Sequence, residues 1–490
     1  MNHLMDRLSS LTSLRATISG GARFCANVSG GARFCTTVSG GARSRANVSG
    51  GARFCTTVSG DAKFCVSTVV ALLVVFVGSL HAQNAPPAPP QSEKIVITNA
   101  TVHIGNGEVM ENAEVRFVDG LIERVGKPNR QPLSDYRQID GTGKHVFPGL
   151  IALNTTLGLI EIGAVRATND RREVGKFNAN VRSLIAFNTD SQVLPTVRSR
   201  GVMMVESVPQ GGVISGRSCL MHLDGWNYED AVISTEAGMH LRWPSRRNYN
   251  WREGRWEADE NYPAEIRELM HFMEQARAYC ATDRDDTELM YQAMCPVLAG
   301  VTKLFVHAET AQDILAALEL RNDFPALDIA IVGGAESYLI TDELKAAEVS
   351  VVLGSTQALP RREDDPIDLP FRLPAMLAEA GVPFALNHGS GWGGWQQRNL
   401  PFQAGQAIGY GLDREEALRA LTLTPAEILG LQDDIGSLET GKSATLIVVD
   451  GDLFDSRNSH VIHAFIDGRE INLDNKQEFL ARKFRSKYER

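Results

Sequence analysis

Short apolar runs in this chain end on residues that could do chemistry. His307 and Glu309 follow Leu304-Phe305-Val306, Glu336 follows Ile329-Ala330-Ile331-Val332, and His388 follows Pro383-Phe384-Ala385-Leu386-Asn387. Two imidazoles with a carboxylate could hold a zinc ion, which takes three or four protein ligands. The plainer alternative has His307 hydrogen-bonded among its neighbours, with Glu309 and Glu336 capping helices. Asn154, Thr155 and Thr156 offer amide and hydroxyl groups that either orient a bound molecule or satisfy one another. Gly389-Ser390-Gly391-Trp392-Gly393-Gly394-Trp395 sets two indoles among glycines, which suits a lid or a ring-stacking surface as well as ordinary loop packing. Gln210-Gly211-Gly212-Val213-Ile214-Ser215-Gly216-Arg217-Ser218 is glycine-rich but lacks the Lys and Ser/Thr ending of a phosphate-cradling loop. It reads as a loop that lets backbone approach a ligand. Arg242, Arg246, Arg247, Arg252 and Arg255 either attract an anionic ligand or form a solvated charged face.

The elements that must position these residues are legible in the hydrophobic pattern. Apolar runs at Leu304, Ile329, Val349 and Pro383 alternate with helical spacing over Thr310 to Leu320, Asp342 to Ala347 and Arg372 to Ala380. Short buried strands alternating with helices mean parallel βα units, and their number predicts an α/β fold with a closed (β/α)8 TIM-like barrel over residues 146–430. Asp413 with Glu416 predicts a capped final barrel helix. Residues 94–145 and 431–490 are rich in period-two alternation, with hairpin signals at Asp119-Gly120 and Asp467-Gly468. Both ends together predict one small composite β-sandwich domain.

Residues 1–65 carry a decapeptide repeat, Ser19-Gly20-Gly21-Ala22-Arg23-Phe24-Cys25 and its copies, too poor in apolar residues to build a core. Residues 66–82 have a basic flank, a short apolar run and small residues before His81-Ala82-Gln83, the pattern of a secretory signal peptide cut after Ala82. An uncleaved membrane anchor is the alternative. Residues 83–93 form a Pro-rich linker. A periplasmic or secreted destination follows. The net charge of −10 and pI near 5.6 argue against a nucleic-acid partner. The mature chain keeps Cys219, Cys280 and Cys295; Cys280 and Cys295 could pair, but the spacing favours buried free thiols.

Three segments in order resemble the amidohydrolase superfamily, particularly its imidazolonepropionase-like members. They are Gly143-Lys144-His145-Val146-Phe147-Pro148-Gly149-Leu150-Ile151, then Ala417 to Gly430 with its Thr424-Pro425-Ala426, then Gly436-Ser437-Leu438-Glu439-Thr440-Gly441-Lys442-Ser443-Ala444. The resemblance implies hydrolysis of carbon–nitrogen bonds other than peptide bonds by a metal-bound water at the C-terminal ends of the strands. Its metal ligands are His-x-His on the first strand, a His ending the fifth, a His ending the sixth and an Asp ending the eighth. Here the first pair reads Asn154 and Thr156, which a regular strand would point the same way. His307 matches the fifth-strand histidine, Gly333 stands at the sixth position, and Gly389 at the eighth, beside His388.

Three readings stay open. The metal centre has degenerated and the barrel binds a small molecule with weak or no activity; the enzyme works through a rebuilt or metal-free site; or the chain is a structural subunit beside an active paralogue. The cofactor expectation is none, or a single divalent ion such as zinc with His307 as a ligand. The candidate ligand contacts are Asn154, Thr156, His307, Glu309, Glu336, His388 and Trp392. A homo-oligomer is compatible with all three.

Overall fold

The chain divides into two compact units, Met1–Gln83 and Asn84–Arg490. The computed structural model describes residues 86–489 apart from Gln131, Trp251, residues 283–286, Glu363 and residues 390–393, together with four short strands in the first unit. The signal-like segment and Trp392 lie outside the described residues. The four strands, Arg23–Val28, Ala32–Thr37, Ser44–Val48 and Arg53–Thr56, fall one in each of the first four repeat copies and pair antiparallel in chain order. Among the described residues no helix is long and apolar enough to cross a membrane.

The second unit begins with β1 (Lys94–His103), β2 (Val109–Val118) and β3 (Leu121–Gly126). Asp119 and Gly120 turn the β2–β3 hairpin at φ 51° and 81°, the left-handed values a two-residue type I′ turn requires. β4 (Tyr136–Asp140) and β5 (His145–Pro148) both run parallel to β1.

The barrel sheet follows, in the order β6 (Leu150–Thr155), β7 (Val202–Ser207), β8 (Ile214–His222), β9 (Val232–Arg242), β10 (Leu304–Ala308), β11 (Ile329–Gly333), β12 (Ser350–Leu353) and β13 (Phe384–Ala385). β13 does not ladder onto β6. Instead Ile151 N–H donates to the Leu421 carbonyl and Leu386 N–H to the Ala420 carbonyl, both at 2.9 Å, and this backbone closes the ring. Every residue of β6, β7 and β11 is buried, which is why these strands read as near-continuous apolar runs. The TIM-like barrel agrees with the sequence, with one correction: β8 runs antiparallel to both neighbours. Only Val208 to Val213 separate β7 from β8, too short for the crossover that a parallel pair needs.

Helices α1 (Tyr262–Cys280) and α2 (Leu289–Leu298) fill the long β9–β10 connection, and α3 (Ala311–Leu318) follows β10. Cys280 and Cys295 form a disulfide that ties α1 to α2, which corrects the expectation of free thiols. The pairing was open to sequence but undecidable there, because Cα separation, here 5.5 Å, is what permits a bridge. Cys219 is a buried free thiol, pushed up to about 12 by burial. In α4 (Arg414–Arg419) the Asp413 carboxylate caps Glu415 N–H and Glu416 N–H at 2.8 and 3.2 Å.

The chain then returns to the first sheet as β14 (Leu446–Asp450), β15 (His460–Ile466) and β16 (Arg469–Glu470), with β14 pairing β5. The sheet curls until β3 meets the run leading into β14 at a Leu121–Ser443 bridge. Its enclosed core includes Ile97, Val115, Phe117, Val146, Leu446 and Phe465, drawn from both ends of the unit.

Candidate functional site

Polar side chains collect near the C-terminal ends of β6, β7, β9 and β10. Glu206, on β7, is fully buried. Its Oε1 accepts from Ser218 Oγ at 2.6 Å and lies 2.9 Å from His240 Nε2; its Oε2 accepts the Asn154 N–H at 2.9 Å. Burial pushes this carboxyl group's pKa up, but the His240 partner and the other donors outweigh it and hold it below the usual carboxylate range. His240, on β9, is also fully buried and stacks on Phe305 with ring centroids 4.8 Å apart. Its Nδ1 lies 3.0 Å from Nε2 of His307 on β10. Burial, then the charges of His240 and Arg242, hold the His307 pKa well below 6.5, so this imidazole is neutral. The result is a chain from carboxylate to imidazole to imidazole.

Sequence reasoning missed Glu206 and His240. The available signal was a charged residue inside Val202-Met203-Met204-Val205-Glu206, since a charge in a buried strand demands a partner.

β6 does not keep the regular alternation assumed for Asn154 and Thr156. Ala152 pairs Val205 while Thr155 pairs Ser207, so β6 carries one extra residue, and Asn154 takes φ 50°. Such a bulge re-aims side chains, and Asn tolerates the left-handed conformation better than most residues. Both residues are buried, and Asn154 Oδ1 and Thr156 Oγ1 have no hydrogen-bond partner among the described residues. Thr155 donates to the Glu206 carbonyl at 2.9 Å. Across the β6–β13 seam, buried Asn387 accepts from Gln397 Nε2 at 3.2 Å, while its own Nδ2 has no partner among the described residues. An unsatisfied buried polar group costs about 1–3 kcal/mol, so these atoms favour any molecule that could pair with them.

The remaining candidates sit around the β10 and β11 ends. Glu309 accepts from Ala335 N–H at 3.3 Å and lies 3.8 Å from Arg361. Glu336 accepts from Ala311 N–H at 3.0 Å, at the start of α3. His388 is half-buried, and burial lowers its pKa.

A divalent ion held as the resemblance implies needs donors ending the first, fifth, sixth and eighth strands. Gly333 has none, and its empty side-chain space is taken: a Cβ there would lie 2.7–2.8 Å from the carboxyl atoms of Glu309. Gly389 has none either. Asn154 and Thr156 supply neutral oxygens, and His307 Nε2 is engaged by His240. Among the described residues no three His, Cys, Asp or Glu side chains converge as a metal-holding group, so His307, Glu309, Glu336 and His388 are not brought together as one. The donors at these four positions are not the set the resemblance implies.

The profile of the Amidohydrolase family matches residues 398–471. An imidazolonepropionase from Syntrophobacter fumaroxidans is 34% identical over 124 residues, 24% of this chain and 28% of that protein. One from Shouchella clausii is 39% identical over 75 residues, 15% of this chain and 17% of that protein. These matches therefore span less than a third of either relative. A solved structure of an amidohydrolase from Thermotoga maritima MSB8 superposes with a TM-score of 0.67 at 26% identity, covering 77% of this chain and 99% of that one.

Proposed function

The chain belongs to the amidohydrolase superfamily, and on that premise we propose that it is an exported barrel that binds a small polar molecule at its mouth without the superfamily's metal centre. Hydrolysis of carbon–nitrogen bonds is weak or lost. Members of the superfamily typically use divalent metals, whose value lies in lowering the pKa of a bound water to about 7. The observation that carries the reading is the Glu309 carboxylate standing where a sixth-strand histidine would grow from Gly333. The unpartnered Asn154 Oδ1, Thr156 Oγ1 and Asn387 Nδ2 support a polar ligand. Export is supported by the signal-like segment and by the Cys280–Cys295 disulfide, since such bonds persist in oxidising compartments.

A thermal-shift screen of small amides, ureas and organic acids on the mature protein tests this reading. Ligands that raise Tm in the parent and not in Asn154→Leu support it; a screen without a single stabilising compound speaks for the assembly-subunit alternative.

One observation favours a second reading, a metal-free hydrolase. A neutral His307 backed by His240 and Glu206 has the base-and-orienter arrangement that activates a nucleophile without a metal. Turnover of any screened amide that survives chelation and disappears in His307→Ala would establish it.

A further inference from the structure

The last described helix, α5 (Lys476–Tyr488), turns its large apolar residues to solvent. Asn475 caps it, its Oδ1 accepting from Gln477 N–H and Glu478 N–H at 3.0 and 3.1 Å. Thr196 Oγ1 donates to Gln477 Oε1 at 2.8 Å and ties the first turn to the barrel. Leu480 is half-buried, and none of the 13 residues of α5 is fully buried. Phe479, Phe484 and Tyr488 are 56%, 54% and 77% exposed. A helix shorter than about 12–15 residues is marginal by itself in water, so a surface covering these rings would stabilise it.

Charge is just as unevenly placed. The helix carries Lys476, Arg482, Lys483, Arg485 and Lys487 against one acid, Glu478, in a chain of net charge −10. Arg482 and Arg485 pair with Asp474 and Glu489 at 2.7 and 3.9 Å. Lys476, Lys483 and Lys487 are exposed and have no ion pair among the described residues. Steps of seven and four residues set these lysines within about 40° of one line along the helix, with Glu478 on the opposite side. Leu480, Phe484 and Tyr488 follow at intervals of four on one flank of that line, and Phe479 stands on the other. Lys483 Nζ lies 6.0 Å from the Phe484 ring centroid, and Lys487 Nζ 5.4 Å from that of Tyr488. Lysine stems thus run along the rings while their ammonium groups stay in water.

We propose that α5 docks this protein on an anionic lipid surface, its rings entering the headgroup layer and its lysine row meeting lipid phosphates. A helix of 13 residues spans about 20 Å, short of the roughly 30 Å hydrocarbon core, so it lies on the membrane. A protein partner fits this face less well. The buried centre of a protein interface is depleted in lysine, whereas a lipid surface accepts lysines among aromatics because they reach the phosphates. The acidic remainder of the chain is repelled by the same lipid, which confines attachment to this face and keeps it reversible. The proposal is independent of what the barrel mouth binds.

The test is flotation of the purified protein with vesicles of phosphatidylcholine alone and with equimolar phosphatidylglycerol and phosphatidylcholine. The parent should float with the anionic vesicles, stay behind with the neutral ones, and be released by raised salt. Lys476→Gln/Lys483→Gln/Lys487→Gln should bind the anionic vesicles about a hundredfold more weakly, near fivefold for each lysine. Phe484→Ser/Tyr488→Ser should weaken binding about tenfold. Both variants change only exposed residues and should melt as the parent does, and because they share its N-terminal segment, any lipid binding there cancels. No binding, equal binding to both vesicles, or anionic binding unchanged in the lysine variant would overturn the proposal. So would a dimer by light scattering that dissociates in either variant, because the face would then belong to a second copy.

Discussion

Glu206 is a buried charge whose partners come from three other strands, and that makes its removal costly. Glu206→Leu keeps the volume but strands His240 Nε2 and the Asn154 N–H without an acceptor, leaving Ser218 only the Gly238 carbonyl at 3.2 Å. Breaking a buried pair in this way costs about 3–5 kcal/mol, so the variant's urea midpoint should fall accordingly; parent-like stability would contradict the network. His307 gives a pH signature. Its folded pKa lies well below the ordinary 6.5, so the unfolded chain takes up the proton first as pH falls. Stability present above 6.5 is therefore lost on acidification below it. The depressed Glu206 pKa adds a second loss, as pH falls below the ordinary carboxylate value of 4.5. Urea midpoints followed from neutral to about pH 5 should decline, and His307→Gln should flatten that decline; an equal slope in both would refute it. His307 was legible in the sequence because a motif frames it. Glu206 and His240 were not, since their roles depend on three strands meeting.

At the scale of elements, the apolar runs of β10 to β13 could be read, but neither the existence nor the direction of β8, whose first half, Ile214 to Ser218, reads as part of a glycine-rich loop and is strand instead. A strand buried along nearly its whole length looks alike in either direction, and only the short Val208–Val213 connection betrays the reversal. The bulge at Asn154 was equally invisible, because period-two reasoning assumes the regularity a bulge breaks. The Cys280–Cys295 bond closes a sequence separation of 15 residues between α1 and α2. Constraint of such a loop is worth about 3 kcal/mol in the unfolded-chain account. The Cys280→Ala/Cys295→Ala double variant should lose stability of that order in chemical denaturation, and a variant as stable as the parent would show that the bridge is incidental.

For the whole molecule, order and spacing of weak motifs sufficed for the barrel and the composite sheet. Of seven cysteines, four precede residue 66. A chain cut after Ala82 keeps one thiol outside the disulfide, buried Cys219 with its pKa near 12. Ellman titration of the purified protein should find no reactive thiol in the native state and a single one after unfolding; several would mean the N-terminal segment is retained. The central claim is that this barrel works without the superfamily's metal. The direct measurement is metal analysis of mature protein exposed to excess zinc and desalted, alongside His307→Ala. The account predicts no stoichiometric zinc in either protein. One zinc per chain in the parent, absent from His307→Ala, would contradict it.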